Sequence, residues 1–206
     1  AQTTLRAVLG KHELDEMQAR LERVMQARQA RLGLLEALMD DAPPERGNAF
    51  LDAAVSGGSL LRLICRLSPD GRVMAVGLPP VLQGQRQDLL GSDLSANPLF
   101  QSVQGKPGVA WRGRHVSVLG GEASIGMAVS DRHGHVLLAE VPLSYLVNAV
   151  QVAASGRASS VWVVDREGEI VADSRFGPDV VRRHLRAWPL MQAMLQGRTP
   201  ASPLRD

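Results

Sequence analysis

The sequence predicts an α+β chain: one long N-terminal helix, a five-stranded antiparallel sheet with helices against it, and the start of a second, smaller sheet unit. Three observations carry this. Apolar residues recur at three- and four-residue steps from Thr4 to about Met39. The stretch Leu60 to Gly77 alternates apolar and polar residues on both sides of Ser68-Pro69-Asp70-Gly71, which is a β-hairpin pattern. That turn is reissued as Asp131-Arg132-His133-Gly134 and Asp165-Arg166-Glu167-Gly168, each between apolar runs. Gly supplies positive φ at the last turn position, and the leading Ser or Asp can accept from the turn's own N–H groups.

The leading helix would span roughly 50 Å at 1.5 Å per residue. Its stripe (Leu14, Met17, Leu21, Val24, Leu32, Leu35, Leu38, Met39) can cover the chain's own sheet or meet a partner helix, and both can hold at different heights. Asp40 to Pro44 ends it, because a double proline cannot continue a helix. A short helix from Asn48 to Val55 follows, then the hairpin. Pro79-Pro80 and the polar run Gln83 to Gln87 read as a loop; Leu89 to Asp93 leads into a helical patch, Asn97 to Val103. Val109 to Arg112, His115 to Leu119 and Ser124 to Val129 read as strands, the first two joined by Gly113. The second turn delivers a strand from Val136 to Val141, and Leu143 to Ala153 is helical in pattern. The third turn opens a new unit, followed by helical pieces at Asp179 to Arg186 and Leu190 to Leu195.

Composition narrows the function classes. With 206 residues the chain can bury a real core, and 45% hydrophobic with 21% charged residues is ordinary for a globular protein. Aromatics are only 3%, which leaves few stacking platforms for bases or sugars. The formal charge is +2 although the pI is 9.2, because nearly all the cations are Arg. Acids are interleaved throughout, so no basic stripe marks a nucleic-acid surface. The single Cys65 lies in an apolar strand and reads as a small hydrophobe. No run of about 18 apolar residues is present to span a membrane. His133 and His135 read as turn residues, not a metal pair. No motif frames a catalytic Ser, His and Asp, so neither catalysis, metal nor cofactor is expected.

Alternation locates a candidate site. On Ser124 to Ser130 the small side (Ser124, Gly126, Ala128, Ser130) opposes Ile125, Met127 and Val129. The small side leaves room for a ligand under the loops inserted before it, and the bulky side suits helices. His115 and Ser117 share a face by the same rule. Glu140, in an otherwise apolar strand, needs a partner. A cationic ligand group would serve, and so would Arg62, Arg66 or Arg114. Trp111 and Phe100 complete the candidate walls.

Taken together, the long helix, SPDGRV, the Leu90-Gly91-Ser92-Asp93-Leu94-Ser95 segment running on to Pro98-Leu99-Phe100, AVSDRHGHVLLAEVPLSYL and VWVVDREGEIVADS resemble the double-CACHE sensor family. The resemblance implies a PAS-like five-stranded module and a second, incomplete PAS-like module on one long helix. It places residues 1–46 as the signalling helix, 47–155 as the membrane-distal module and 156–206 as the start of the membrane-proximal one. It implies the periplasmic part of an inner-membrane receptor, with membrane spans and a cytoplasmic output outside this stretch: histidine kinase, chemoreceptor or GGDEF-type cyclase. A small-molecule ligand and a homodimer through the N-terminal helix follow, and no nucleic acid. In amino-acid-binding members an Arg position falls on Asn97, a Trp-Tyr pair on Leu99-Phe100 and a final acid on Glu140. The Arg that would clamp a ligand carboxylate is missing, so that scheme of α-amino-acid recognition is not expected. The alternative is a ligand-free dimerisation or partner-binding scaffold.

Overall fold

The structure, a computed structural model, describes residues 19, 22–23, 26–27, 29–35, 39, 46–56, 61–117, 119, 121–154, 162–165, 168–175, 192 and 196. They fall into two compact units, one drawn from residues 26–142 and one from residues 1–25 and 143–206. Most of the expected leading helix lies outside the described residues. Residues 29–35 are helical, with Leu32 and Leu35 buried and Leu34 exposed. The helical pieces expected at 179–186 and 190–195 also lie outside them, apart from Gln192.

Unit 26–142 is built on a five-stranded antiparallel sheet in the order β2-β1-β5-β4-β3. The strands are β1 (Leu63–Leu67), β2 (Val73–Gly77), β3 (Gly108–Val116), β4 (Ala123–Ser130) and β5 (Val136–Pro142). Directly paired residues share a face, so the register sorts the side chains. One face carries Ile64, Arg66, Ala75, Gly77, Leu137, Ala139, Ile125, Met127 and Val129. The helix Gly47–Ser56 lies there: a Cβ on Gly77 would fall 2.6 Å from the Leu51 carbonyl carbon, and one on Gly47 3.1 Å from Ala75 Cβ. Asn48 and Asp52, one turn apart, accept from the Val76 and Leu78 N–H groups at 2.8 and 2.9 Å, which satisfies the outer edge of β2. Arg66 Nη1 donates to the Met39 carbonyl and Arg31 Nη2 to that of Ala54, fixing Arg31 and Met39 to this layer.

The opposite face holds the main apolar cluster: Leu63, Cys65, Leu67, Val76, Ala128, Val136 and Leu138 against Leu99, Phe100 and Val103. Helices expected on one side only are therefore present on both, because the segment between β2 and β3 is itself partly helical. Pro80–Gln85 is a 3-10 turn and Arg86–Leu89 a short helix where a loop is expected. Pro80 presets its φ for the first helical position, and Arg86 Nη2 anchors the turn to Asp52 Oδ2 at 2.5 Å. Residues 91–94 are stitched along β2: Val73 N–H donates to Ser92, Gly91 N–H to Val73 and Leu94 N–H to Gly71.

The three related turns share one construction. Gly71, Gly134 and Gly168 have φ of 88°, 84° and 78°, and the leading Ser68, Asp131 or Asp165 accepts from the N–H of the residue four places on. Gly71 is further constrained, since a Cβ there would lie 2.7 Å from the Ser95 backbone. Burial pushes the Asp131 carboxyl up, but hydrogen bonds from the His135 ring and from the His135 and His133 N–H groups together hold it below the ordinary value. A depressed folded value means stabilisation that is present above the unfolded pKa and lost as pH falls through the folded one. Asp131→Ala should therefore lower the melting temperature at neutral pH, and the gap from the parent should narrow on acidification below about pH 4. A gap independent of pH would show that the carboxylate's charge is not what matters.

In the second unit, β6 (Trp162–Val164) and β7 (Ile170–Asp173) form a separate two-stranded sheet, with the helix Leu143–Ala154 against β7. The α+β reading, with a five-stranded antiparallel sheet and a second small one, is thus the observed architecture.

Candidate functional site

Two expected strands, Val109 to Arg112 and His115 to Leu119, are one strand, β3, with a bulge at Gly113. Arg112 pairs with Gly126 and Arg114 with Ile125, leaving Gly113 unpaired. A bulge reverses the alternation beyond it. Arg112 and His115 consequently share the face of Gly126, whereas Trp111, paired with Met127, lies on the helix Gly47–Ser56 side of the sheet.

On the Gly126 face the register aligns Arg112, Gly126, Glu140 and Leu63 across β3, β4, β5 and β1. Gly126 leaves a gap in this row that two side chains occupy. A Cβ there would fall 2.4 Å from Leu99 Cδ1 and 3.2 Å from His115 Cε1. His115 thereby leans across β4, and its Nε2 reaches Glu140 Oε1 at 3.2 Å. Ser117 Oγ donates to Glu140 Oε2 at 2.5 Å. Glu140 is only 4% exposed, so its charge is held by these two groups rather than by water. The arginines considered from the sequence are placed otherwise: Arg62 pairs with Glu122 at 2.6 Å, Arg66 bonds Met39 on the other face, and Arg114, opposite Ile125 in register, belongs to that other face too. Beneath the acid, Cys65 is fully buried. Burial first, and the Glu140 charge second, push its thiol up to about 12, so it stays protonated and inert.

The structure brings His115, Ser117 and Glu140 into one hydrogen-bonded group and sets Ser124 beside His115 in register. Asn97 and Phe100 are placed otherwise. Asn97 caps the helix Pro98–Val103, its Oδ1 accepting from Leu99 N–H at 2.9 Å, and Phe100 is fully buried in the apolar cluster. Arg112 was not singled out from the sequence. The available signal was Gly113, since a glycine inside a strand marks a bulge and shifts the alternation after it. Among the described residues no group of three His, Cys, Asp or Glu could hold a metal ion, and no helix is long and apolar enough to cross a membrane.

No protein-family profile matches the sequence, and no curated protein matches it. Solved structures do. An extracellular ligand-binding receptor from Desulfohalobium retbaense superposes with a TM-score of 0.70 at 12% identity, over 89% of this chain and 33% of that one. The fold is one that solved extracellular ligand-binding domains have. The ligand-binding domain of the Campylobacter jejuni chemoreceptor Tlp3, in complex with L-valine, matches at 0.64 and 14% identity over 88% of this chain and 75% of that one. The extracellular domain of the histidine kinase rpHK1S-Z16 matches at 0.66 and 15%, over 86% and 74%. The sensory fold is therefore shared at identities where only architecture carries over. The chain spans about a third of the length of the Desulfohalobium receptor it matches.

Proposed function

We propose that this chain is the extracytoplasmic small-molecule-sensing region of a transmembrane signalling receptor. The observation that carries the proposal is the buried Glu140–His115–Ser117 group, set on the sheet face beneath the inserted segment of a sensory fold. A buried carboxylate contributes little to folding compared with an apolar residue of similar size, so its presence argues for recognition. The Tlp3 structures, one bound to isoleucine and one to L-valine, support a small ligand for this architecture. On this reading the chain sits outside the inner membrane of a bacterium, as the membrane-distal module (47–155) with the start of a second. A helix before it would carry the signal to a cytoplasmic kinase, cyclase or chemoreceptor output.

A thermal-shift screen of metabolites on the purified chain tests the reading. A stabilising compound is expected, with its effect abolished in His115→Ala. Absence of any stabiliser across amino acids, amines, organic acids and nucleobases would sink it.

A further inference from the structure

We propose that the Asp52 carboxylate is a latch holding residues 79–90 shut against the sheet unit, and that breaking its bond to Arg86 releases them as one flap. The segment has no buried anchor of its own. Leu82, Leu89 and Leu90 rest partly covered against the main apolar cluster, and none of residues 79–90 is fully buried. Its Leu82 and Leu90 N–H groups bond the Pro79 and Arg86 carbonyls, inside the segment. Ser92 N–H and Oγ bond the Leu89 and Asp88 carbonyls where the segment rejoins β2. Every other hydrogen bond that leaves it, among the described residues, ends on one side chain. Arg86 Nη2 donates to Asp52 Oδ2 at 2.5 Å, and Gln83 Nε2 to the same oxygen at 3.4 Å. A segment with few buried apolar contacts and a single tie opens at low cost.

Asp52 lies on the helix Gly47–Ser56, on the opposite face of the sheet from the apolar cluster, and reaches the flap around the outer edge of β2. Its two oxygens divide the work. Oδ1 caps the strand by accepting from Leu78 N–H at 2.9 Å, and Oδ2 grips the flap through Arg86. The grip is incomplete: Arg86 Nε is buried and finds no hydrogen-bond partner among the described residues, which offsets part of what the ion pair contributes. The chain is pinned on either side, by Leu78 N–H on Asp52 and by Gly91 N–H on the Val73 carbonyl. Pro79 and Leu90, just inside those pins, are extended, with ψ of 155° and 130°, and are the positions at which the backbone can turn. Opening therefore bares the flank of the apolar cluster that Leu82, Leu89 and Leu90 cover, and breaks no strand-to-strand bond. On the sensing reading that is the way in to the sheet face beneath the inserted segment; this purpose rests on that reading, and the latch itself does not.

Two measurements on the purified chain, both without ligand, test the latch: trypsin cleavage at the Arg86–Gln87 bond, followed by mass spectrometry, and amide hydrogen exchange in residues 79–90. Asp52→Asn keeps an acceptor for Leu78 N–H but loses the charge that holds Arg86. It should speed cleavage and exchange in the segment by about tenfold, the shift in open population expected when one charge-assisted hydrogen bond is lost. Arg86→Gln, which removes the tryptic site, should raise exchange in the segment to a similar degree. Exchange in β1, β4 and β5 should keep the parental rate in both variants. Asn48→Ala removes the neighbouring cap on β2 and leaves Asp52 in place, so it should be cleaved at Arg86–Gln87 like the parent. Segment rates unchanged in both Asp52→Asn and Arg86→Gln would overturn the latch. So would exchange rising through the three inner strands together, or cleavage equally fast in Asn48→Ala and Asp52→Asn. Because no ligand takes part, any of these failures would leave the sensing reading in place.

Discussion

Gly77→Ala is expected to lower the stability of the sheet unit by about 3 kcal/mol, the upper end of what overpacking a buried site costs. The added methyl would meet Leu51 backbone atoms at 2.6 Å, and backbone cannot rotate away as a side-chain end could. Relief requires the helix Gly47–Ser56 to lift from β2. Lifting it would break the Asn48–Val76 and Asp52–Leu78 hydrogen bonds that satisfy the strand's outer edge. Urea denaturation followed by circular dichroism measures this directly. An unfolding midpoint equal to the parent's would mean the helix-to-sheet spacing is slack, against the packing described above.

Glu140→Ala should be comparably severe, at about 3 kcal/mol, because it removes one partner of a buried charged group and strands the other. His115 and Ser117 would lose their common acceptor in a region where water cannot replace it. Glu140→Gln should fall between the parent and the alanine variant, since an amide oxygen still accepts from Ser117 Oγ. The order parent, Gln, Ala in melting temperature is the expected result. An alanine variant as stable as the parent would show that the acid's hydrogen bonds only offset its desolvation.

Much of this architecture is legible in the residues because local chemistry dictates it. The hairpin turns at Gly71, Gly134 and Gly168 announce themselves: only glycine readily takes φ near the observed 78° to 88°, and a Ser or Asp before it completes the bend. Strand β5 follows from the apolar run that the second turn delivers, and in β4 the face with Ser124 and Gly126 is recognisable by its small side chains. Two things escape such reading. The 3-10 turn and short helix after Pro80 depend on the distant Asp52–Arg86 ion pair, which no local pattern foretells. The site is legible only in part for a related reason. Glu140, His115 and Ser117 stand out as polar residues in apolar strands, but their mutual contact depends on the β3–β4–β5 register. Asn97 and Phe100 show the converse: side chains that could serve a ligand are taken up by a helix cap and by the core. Trp111 would join His115 if β3 alternated without interruption, and the extra residue at Gly113 separates them.

That extra residue has a consequence for how such domains diversify. Were Gly113 drawn into regular pairing opposite Ile125, every residue beyond it would shift by one place, turning His115 and Ser117 outward and bringing Arg114 and Val116 in beneath the inserted segment. Keeping or losing one bulge in an edge strand would therefore exchange the lining of this face wholesale, with the surrounding scaffold intact. A face of this kind can change what it presents by register as readily as by substitution.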